Sequence, residues 1–132
     1  MLKFMLDTNI VIYVIKRRPP QVLEIFNQHA GSMCISTITL SELLHGAEKS
    51  SQPHRNLRNV TDFYTRLEVL PYDMHAASHY GDIRADLERK GTRIGVNDLH
   101  IAAHVRSQGL TLVSNNLREF ERIEGLRTTN WV

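Results

Sequence analysis

Met1–Ile15 reads MLKFMLDTNIVIYVI, and the placement of Asp7 within it decides the fold. The apolar run Leu2-Lys3-Phe4-Met5-Leu6 stops at Asp7-Thr8-Asn9 and resumes at helical spacing, the pattern of a buried strand feeding a helix. Asp7 therefore marks the carboxyl end of a strand, which is where open α/β sheets place their ligand sites. A carboxylate so close to a core needs a cation, a cage of hydrogen bonds or a proton.

Working outward, strand and helix signals alternate. Helices are expected over 9–16, 21–29, from 38 onward with Leu40, Leu43, Leu44 and Ala47 on one face, and around Leu57–Leu67. A long helix capped by Asp73 ends at Gly91, one capped by Asn97 ends at Gly109, and a short one covers 117–123. Strands are expected over 32–36, 68–70, 110–113 and, at the sheet edge, 127–131. Strands separated by helices mean βαβ units and a mostly parallel sheet. The sequence thus predicts an α/β fold of one domain, 1–132, with no repeat and no linker.

Composition fits that class. Of 132 residues, 42% are hydrophobic and 23% charged, so the chain is expected to build a core without metal or disulfide staples. The lone cysteine, Cys34, sits in an apolar stretch and reads as a small buried hydrophobe. With no thiol pair to oxidise, a reducing cytoplasm is the expected location. No run approaches the roughly 20 apolar residues of a membrane helix, and Lys16-Arg17-Arg18 follows the first apolar run where a signal peptide would have its charges before it. The net charge of +2 says little by itself. It says more if several acids are committed to an internal metal site, because the remaining surface is then basic enough to attract an anionic polymer.

Four acids recur at equivalent places: Asp7 after the first strand, Glu42 in the opening turns of the helix after the second, Asp98 at the start of its helix, and Glu119 after the Leu110 strand. In a doubly wound sheet these ends gather at one edge, and four carboxylates so gathered cannot all ionise without a cation. Asp98 shares its helical face with Ile101, Ala102 and Val105, which turns its carboxylate toward the buried side. Hard oxygen donors without histidine or cysteine at ligand spacing favour Mg²⁺, with Mn²⁺ as substitute, over Zn²⁺. The chemistry implied is metal-dependent phosphodiester hydrolysis. Thr8, Asn9, Ser114 and Asn116 are placed to hydrogen-bond the acids, bound waters or a phosphate. Arg84, Arg89, Lys90 and Arg93 form a candidate basic rim for RNA, with Lys16-Arg17-Arg18 a second.

These residues resemble a known family. Asp7-Thr8-Asn9 after a strand, Glu42 in STITLSELLHGA (36–47), Asp98 in IRADLERKGTRIGVNDLHIAAHV (83–105) and LVSNNLREFERI (112–123) look like the PIN-domain toxins of VapC type, in order along the whole chain. The resemblance implies a PIN fold, Mg²⁺-dependent endoribonuclease activity on structured RNA such as a tRNA stem-loop, a homodimer, and inhibition by a cognate antitoxin. It carries Asp7, Glu42 and Asp98 as metal-site acids. It departs at Asn116, where many relatives have Asp and this chain supplies Glu119 a turn later, and at Arg93, where Pro is common.

Three other readings compete. A phosphoacceptor receiver domain would show adjacent acids after the first strand and a lysine after the last, where this chain has Thr8 and Ser114. A metal-free ribonuclease would use histidines, but the i, i+4 pairs His75/His79 and His100/His104 read as solvated helix faces. A non-catalytic binding module would not need Asp7, Glu42 and Asp98 together. Finally, the first helix is apolar almost all round from Ile10 to Ile15, so it is either deep in the core or covered by another chain, and an antitoxin helix beside helices one and two is the expected cover.

Overall fold

The structure is a computed structural model describing residues 1–132. Its five strands are β1 (Phe4–Leu6), β2 (Met33–Ser36), β3 (Glu68–Leu70), β4 (Thr111–Val113) and β5 (Arg127–Thr129). They form one sheet in the order β3-β2-β1-β4-β5, and every pairing is parallel. The sheet is therefore wholly parallel, a step beyond the mostly parallel sheet expected. Seven helices connect the strands: α1 (Thr8–Lys16), α2 (Pro20–Gln28), α3 (Thr37–Glu48), α4 (Pro53–Tyr64), α5 (Met74–Lys90), α6 (Val96–Gln108) and α7 (Leu117–Phe120).

Alternation along each short strand sends successive side chains to opposite faces, and this divides the core in two. Leu6, Ile35 and Val113 pack with α1 to α4 through Ile10, Val14, Phe26, Leu43 and Phe63. Met5, Cys34 and Leu112 face α5 and α6 through Ile83, Leu87, Ile101 and Val105. Cys34 is fully buried, as its apolar neighbours indicated, and burial pushes its thiol up to about 12.

Strand order fixes where a ligand site can lie. The chain runs outward from β1 to β2 and β3, then returns to β4 on the other side of β1, so the winding reverses between β1 and β4. That reversal opens a crevice at the carboxyl ends of these two strands. Asp7 and Ser114 are the residues immediately after them, and Asp7 N–H donates to the Val113 carbonyl at 2.9 Å.

Two local expectations differ from the structure. Gly95, not Asn97, is the N-cap of α6, which puts Asn97 in the first helical turn beside Asp98. The His100/His104 pair is not solvated: His104 is completely buried, because α6 is covered on one side by α5 and on the other by the sheet and α3. Leu99, Ile101, Ala102, Ala103 and Val105 are buried with it, so this helix has no wet face over its middle turns. Gly91 and Gly109 end α5 and α6 at φ 68° and 67°, left-handed positions that favour glycine. No helix is long and apolar enough to cross a membrane.

Candidate metal and phosphodiester site

Asp7 anchors the crevice. Only 5% of it is exposed, yet both carboxylate oxygens are engaged: Oδ1 accepts the Thr8 N–H at 2.8 Å and Oδ2 accepts the Ser114 hydroxyl at 2.8 Å. Ser114 Oγ in turn accepts the Asn116 N–H at 2.9 Å. Burial raises the Asp7 carboxyl, the two hydrogen bonds oppose that rise, and the charge of Glu42 adds to it. Such charge-assisted bonds contribute about 1.5–3 kcal/mol each, and here they fix the carboxylate's orientation.

Glu42 arrives from α3. The Thr8 hydroxyl donates to Glu42 Oε1 at 2.6 Å, and Asn97 Nδ2 donates to Oε2 at 3.2 Å. Thr39, one turn earlier on the same helix face and fully buried, lies 3.4 Å from the Thr8 hydroxyl. Helices α1, α3 and α6 thus meet at one carboxylate.

Asp98 is the most perturbed acid. Its carboxyl is raised to about 7, first by burial, then by the charge of Asp7, by a hydrogen bond with Glu119 and that residue's charge, and by Glu42. Asn116 Nδ2 donates to Glu119 Oε2 at 3.3 Å and holds it toward the group. The fold therefore brings Asp7, Glu42, Asp98 and Glu119, supplied by four separate segments, close enough together that the other three act on the Asp98 carboxyl. Of the polar neighbours, Thr8, Ser114 and Asn116 bond the acids, whereas Asn9 is exposed and bonds none of them. The sequence points to neither Thr39 nor Asn97 as a site residue, and marks Asn97 only as a helix cap. Their signals are a hydroxyl three residues before Glu42 and an amide beside Asp98 in a first helical turn.

The donor set is all oxygen, and the histidines take no part in it. His100 Nδ1 pairs with the Tyr72 hydroxyl at 2.9 Å, His104 Nδ1 with the Ser36 hydroxyl at 2.7 Å, and His79 Nδ1 accepts from Arg106 at 2.8 Å. As the side chains stand, no group of three or more acids, histidines or cysteines is placed to hold a metal ion. Magnesium usually keeps several waters and takes only one or two carboxylates, so an incomplete cage of mutually repelling hard donors fits that ion and not zinc.

The basic rim is largely neutralised. Lys90 bridges Asp86 at 3.0 Å and Glu124 at 3.2 Å, Arg89 faces Asp86 at 4.0 Å, and Arg84 holds the Tyr80 hydroxyl at 2.7 Å and Glu88 at 3.5 Å. Arg93 alone of the four has an unpaired side chain, while its carbonyl accepts Arg122 Nη1 at 3.2 Å.

With this all-parallel sheet, wound outward from a central strand and with acids near its switch point, residues 4–126 match the PIN domain family. The chain is 62% identical to ribonuclease VapC2 of Haemophilus influenzae over 132 residues, covering all of both chains. It is 58% identical over 131 residues to the tRNA(fMet)-specific endonuclease VapC of Salmonella typhimurium, covering 99% of each. The toxin chain in the crystal structure of DNA-bound VapBC from Salmonella typhimurium superposes with a TM-score of 0.96 at 57% identity, covering 100% of both chains. This chain belongs to the VapC-type ribonucleases of the PIN-domain family.

Proposed function

We propose that the chain is a Mg²⁺-dependent endoribonuclease toxin that cuts structured RNA, tRNA(fMet) above all, and is held inactive by a cognate antitoxin. The observation that carries the proposal is the linked set of acids, with Glu42 tied to the Asp7 loop by Thr8 and to the Asp98 helix by Asn97, in a chain 62% identical over its full length to a ribonuclease; the mutual repulsion of such acids is what a divalent cation relieves. The substrate follows from the 58% identical relative whose name specifies tRNA(fMet).

Asp7, Glu42 and Asp98 would hold the ion, with Glu119 reaching it through water. When bound, the cation lowers the pKa of a coordinated water and stabilises the leaving oxygen of the phosphodiester. The protein's own contribution is orientation. Ser114 and the Thr8 N–H fix Asp7, Thr8 and Asn97 fix both oxygens of Glu42, and Asn116 steers Glu119, so the acids are oriented before substrate arrives. Arg93, unpaired at the rim, is the cation free to meet a phosphate.

The antitoxin has a place to lie. Ile12, Ile15, Leu43 and Val60 line an open groove of about 270 Å³, with Glu42 among its lining residues. It runs between α1, α3 and α4, whereas the sequence reading puts the antitoxin helix beside α1 and α2, where Val22 and Phe26 of α2 pack into the core. Ile10, Val11 and Val14 go to the core while Ile12 and Ile15 stay half-exposed, which resolves the all-round apolar character of α1 into a buried and a groove face. An antitoxin segment in this groove would bring a basic side chain to Glu42 and its neighbours, neutralising the acids in place of the cation. The VapBC complexes of Salmonella typhimurium and Rickettsia felis support an antitoxin partner. The reading includes a homodimer, which sedimentation at micromolar concentration tests.

The decisive test is cleavage of tRNA(fMet) by purified protein with Mg²⁺, with chelator, and with the antitoxin. Cleavage only in the first condition supports the proposal. Equal cleavage in chelator, or none in Mg²⁺, overturns it.

A further inference from the structure

Gly95 separates the acid cluster from a cavity that the nuclease reading does not use. A Cβ built on Gly95 would stand 3.7 Å from Asp98 Oδ2, so the loop backbone lies directly against the carboxylate. Its two neighbours, Ile94 and Val96, line a cavity of about 170 Å³ between this loop and the end of α5. Leu87 and Leu99, at 2% and 5% exposure, form its apolar floor. Val96 is 54% exposed, an apolar side chain left open to solvent two residues from Asp98. The remaining lining is charged: Arg84, Glu88 and Arg93.

We propose that this cavity receives one nucleobase of the RNA, from a nucleotide neighbouring the cleaved bond; the inference rests on the ribonuclease reading above. A base has two apolar faces and a polar edge, and the cavity offers apolar walls with one acceptor carboxylate and two guanidiniums at its mouth. Its volume falls below the roughly 300–1,000 Å³ of pockets for drug-sized ligands, so it fits a single ring system and not a whole nucleotide. Arg93 is free to stack on that ring or contact its phosphate, and the Arg122 bond to its carbonyl steadies the loop that carries it. Arg84 is already positioned, packed over the Tyr80 ring at 5.9 Å and bonded to its hydroxyl. Glu88, paired with Arg84 at 3.5 Å, can only accept when ionised, so it takes a hydrogen from an amine or ring N–H on the base edge. Cavity and carboxylate share the Ile94-Gly95-Val96 wall, so a base held here sets which phosphodiester lies over the acids.

The test is equilibrium binding, which is independent of turnover. Hairpins cut from tRNA(fMet), each with one loop base removed, are titrated by fluorescence anisotropy in chelator against the wild type and Glu88→Ala/Val96→Ser. Both substitutions are at exposed positions, and circular dichroism verifies the fold. At one loop position, base removal is expected to weaken wild-type binding by about tenfold, the scale of one stacked base, and to weaken variant binding by less than twofold. The proposal is overturned if no position distinguishes the two proteins, or if the folded wild type binds no hairpin. Cleavage of the intact hairpin in Mg²⁺, run in parallel, reports on the nuclease reading separately: lost cleavage with a retained base profile removes that reading and leaves the pocket.

Discussion

Replacing Asp98 with asparagine should stabilise the metal-free protein while destroying its activity. Raising a carboxyl from 3.8 to about 7 corresponds, at about 1.4 kcal/mol per pH unit, to about 4 kcal/mol of penalty on the ionised form in the folded state. Asp98 is partly solvated, and screening reduces this to about 1–2 kcal/mol. The sign follows from where the proton sits. Below about pH 4 the group is protonated in both folded and unfolded chains and exacts no penalty. Between pH 4 and about 7 the unfolded chain releases the proton that the folded chain retains, so stability falls as pH rises, and above 7 the loss is complete. An asparagine side chain has no proton to release and its amide still reaches Glu119, so Asp98→Asn should lose this slope. Urea unfolding in chelator at pH 5 and pH 8 measures it: the variant should exceed wild type by about 1–2 kcal/mol at pH 8 and by little at pH 5. Saturating Mg²⁺ should then reverse the order at pH 8, since a ligand at a hundred times its Kd adds about 2.7 kcal/mol to the protein that binds it. A variant less stable than wild type at pH 8 in chelator, or one with an unchanged pH slope, would refute the reasoning.

Asp7→Asn should abolish cleavage of tRNA(fMet) while leaving the circular dichroism spectrum intact; retained activity in Mg²⁺ removes Asp7 from the metal site. Thr8→Val breaks the 2.6 Å bond to Glu42, and Ser114→Ala frees Asp7 Oδ2, so each should lower kcat by about 10–100-fold, the usual effect of losing a group that orients a ligand. Arg93→Ala should flatten the log Kd against log salt slope by about 0.7, the value for one phosphate contact on single strands, whereas Lys90→Ala should change it far less because Lys90 is already paired with Asp86 and Glu124. Ile12→Asp, in the half-exposed groove face of α1, should weaken antitoxin binding at least tenfold in a pull-down or calorimetric titration without reducing RNA cleavage.

Much of this arrangement is legible in the sequence because it rests on local signals. Asp7 ends an apolar run, Gly91 and Gly109 stop helices in the left-handed region, and Asp98 shares a face with Ile101, Ala102 and Val105, so the strand ends and the acids near them can be read without tertiary information. What escapes depends on contacts between segments. Asn97 reaches Glu42 across 55 residues of sequence, and Thr39 meets Thr8 across 31, which no window along the chain reveals. Burial of His104 likewise follows from α6 being enclosed by α5, α3 and the sheet, since an i, i+4 histidine pair looks the same on a wet or a dry face. The basic rim was visible as charge, but its neutralisation by Asp86, Glu88 and Glu124 required the fold, and only then does Arg93 stand apart.

The central claim, that the four acids work through a divalent cation, is tested most directly by the ends of the RNA they produce. Purified protein is incubated with tRNA(fMet) in Mg²⁺ and in chelator, and the fragments are mapped by mass. Attack by an activated water predicts cleavage only in Mg²⁺, with a 5′-phosphate on the downstream fragment. Chelator-resistant cleavage leaving a 2′,3′-cyclic phosphate on the upstream fragment would contradict the account, because that product comes from the RNA's own 2′-hydroxyl and needs no ion at Asp7, Glu42 and Asp98.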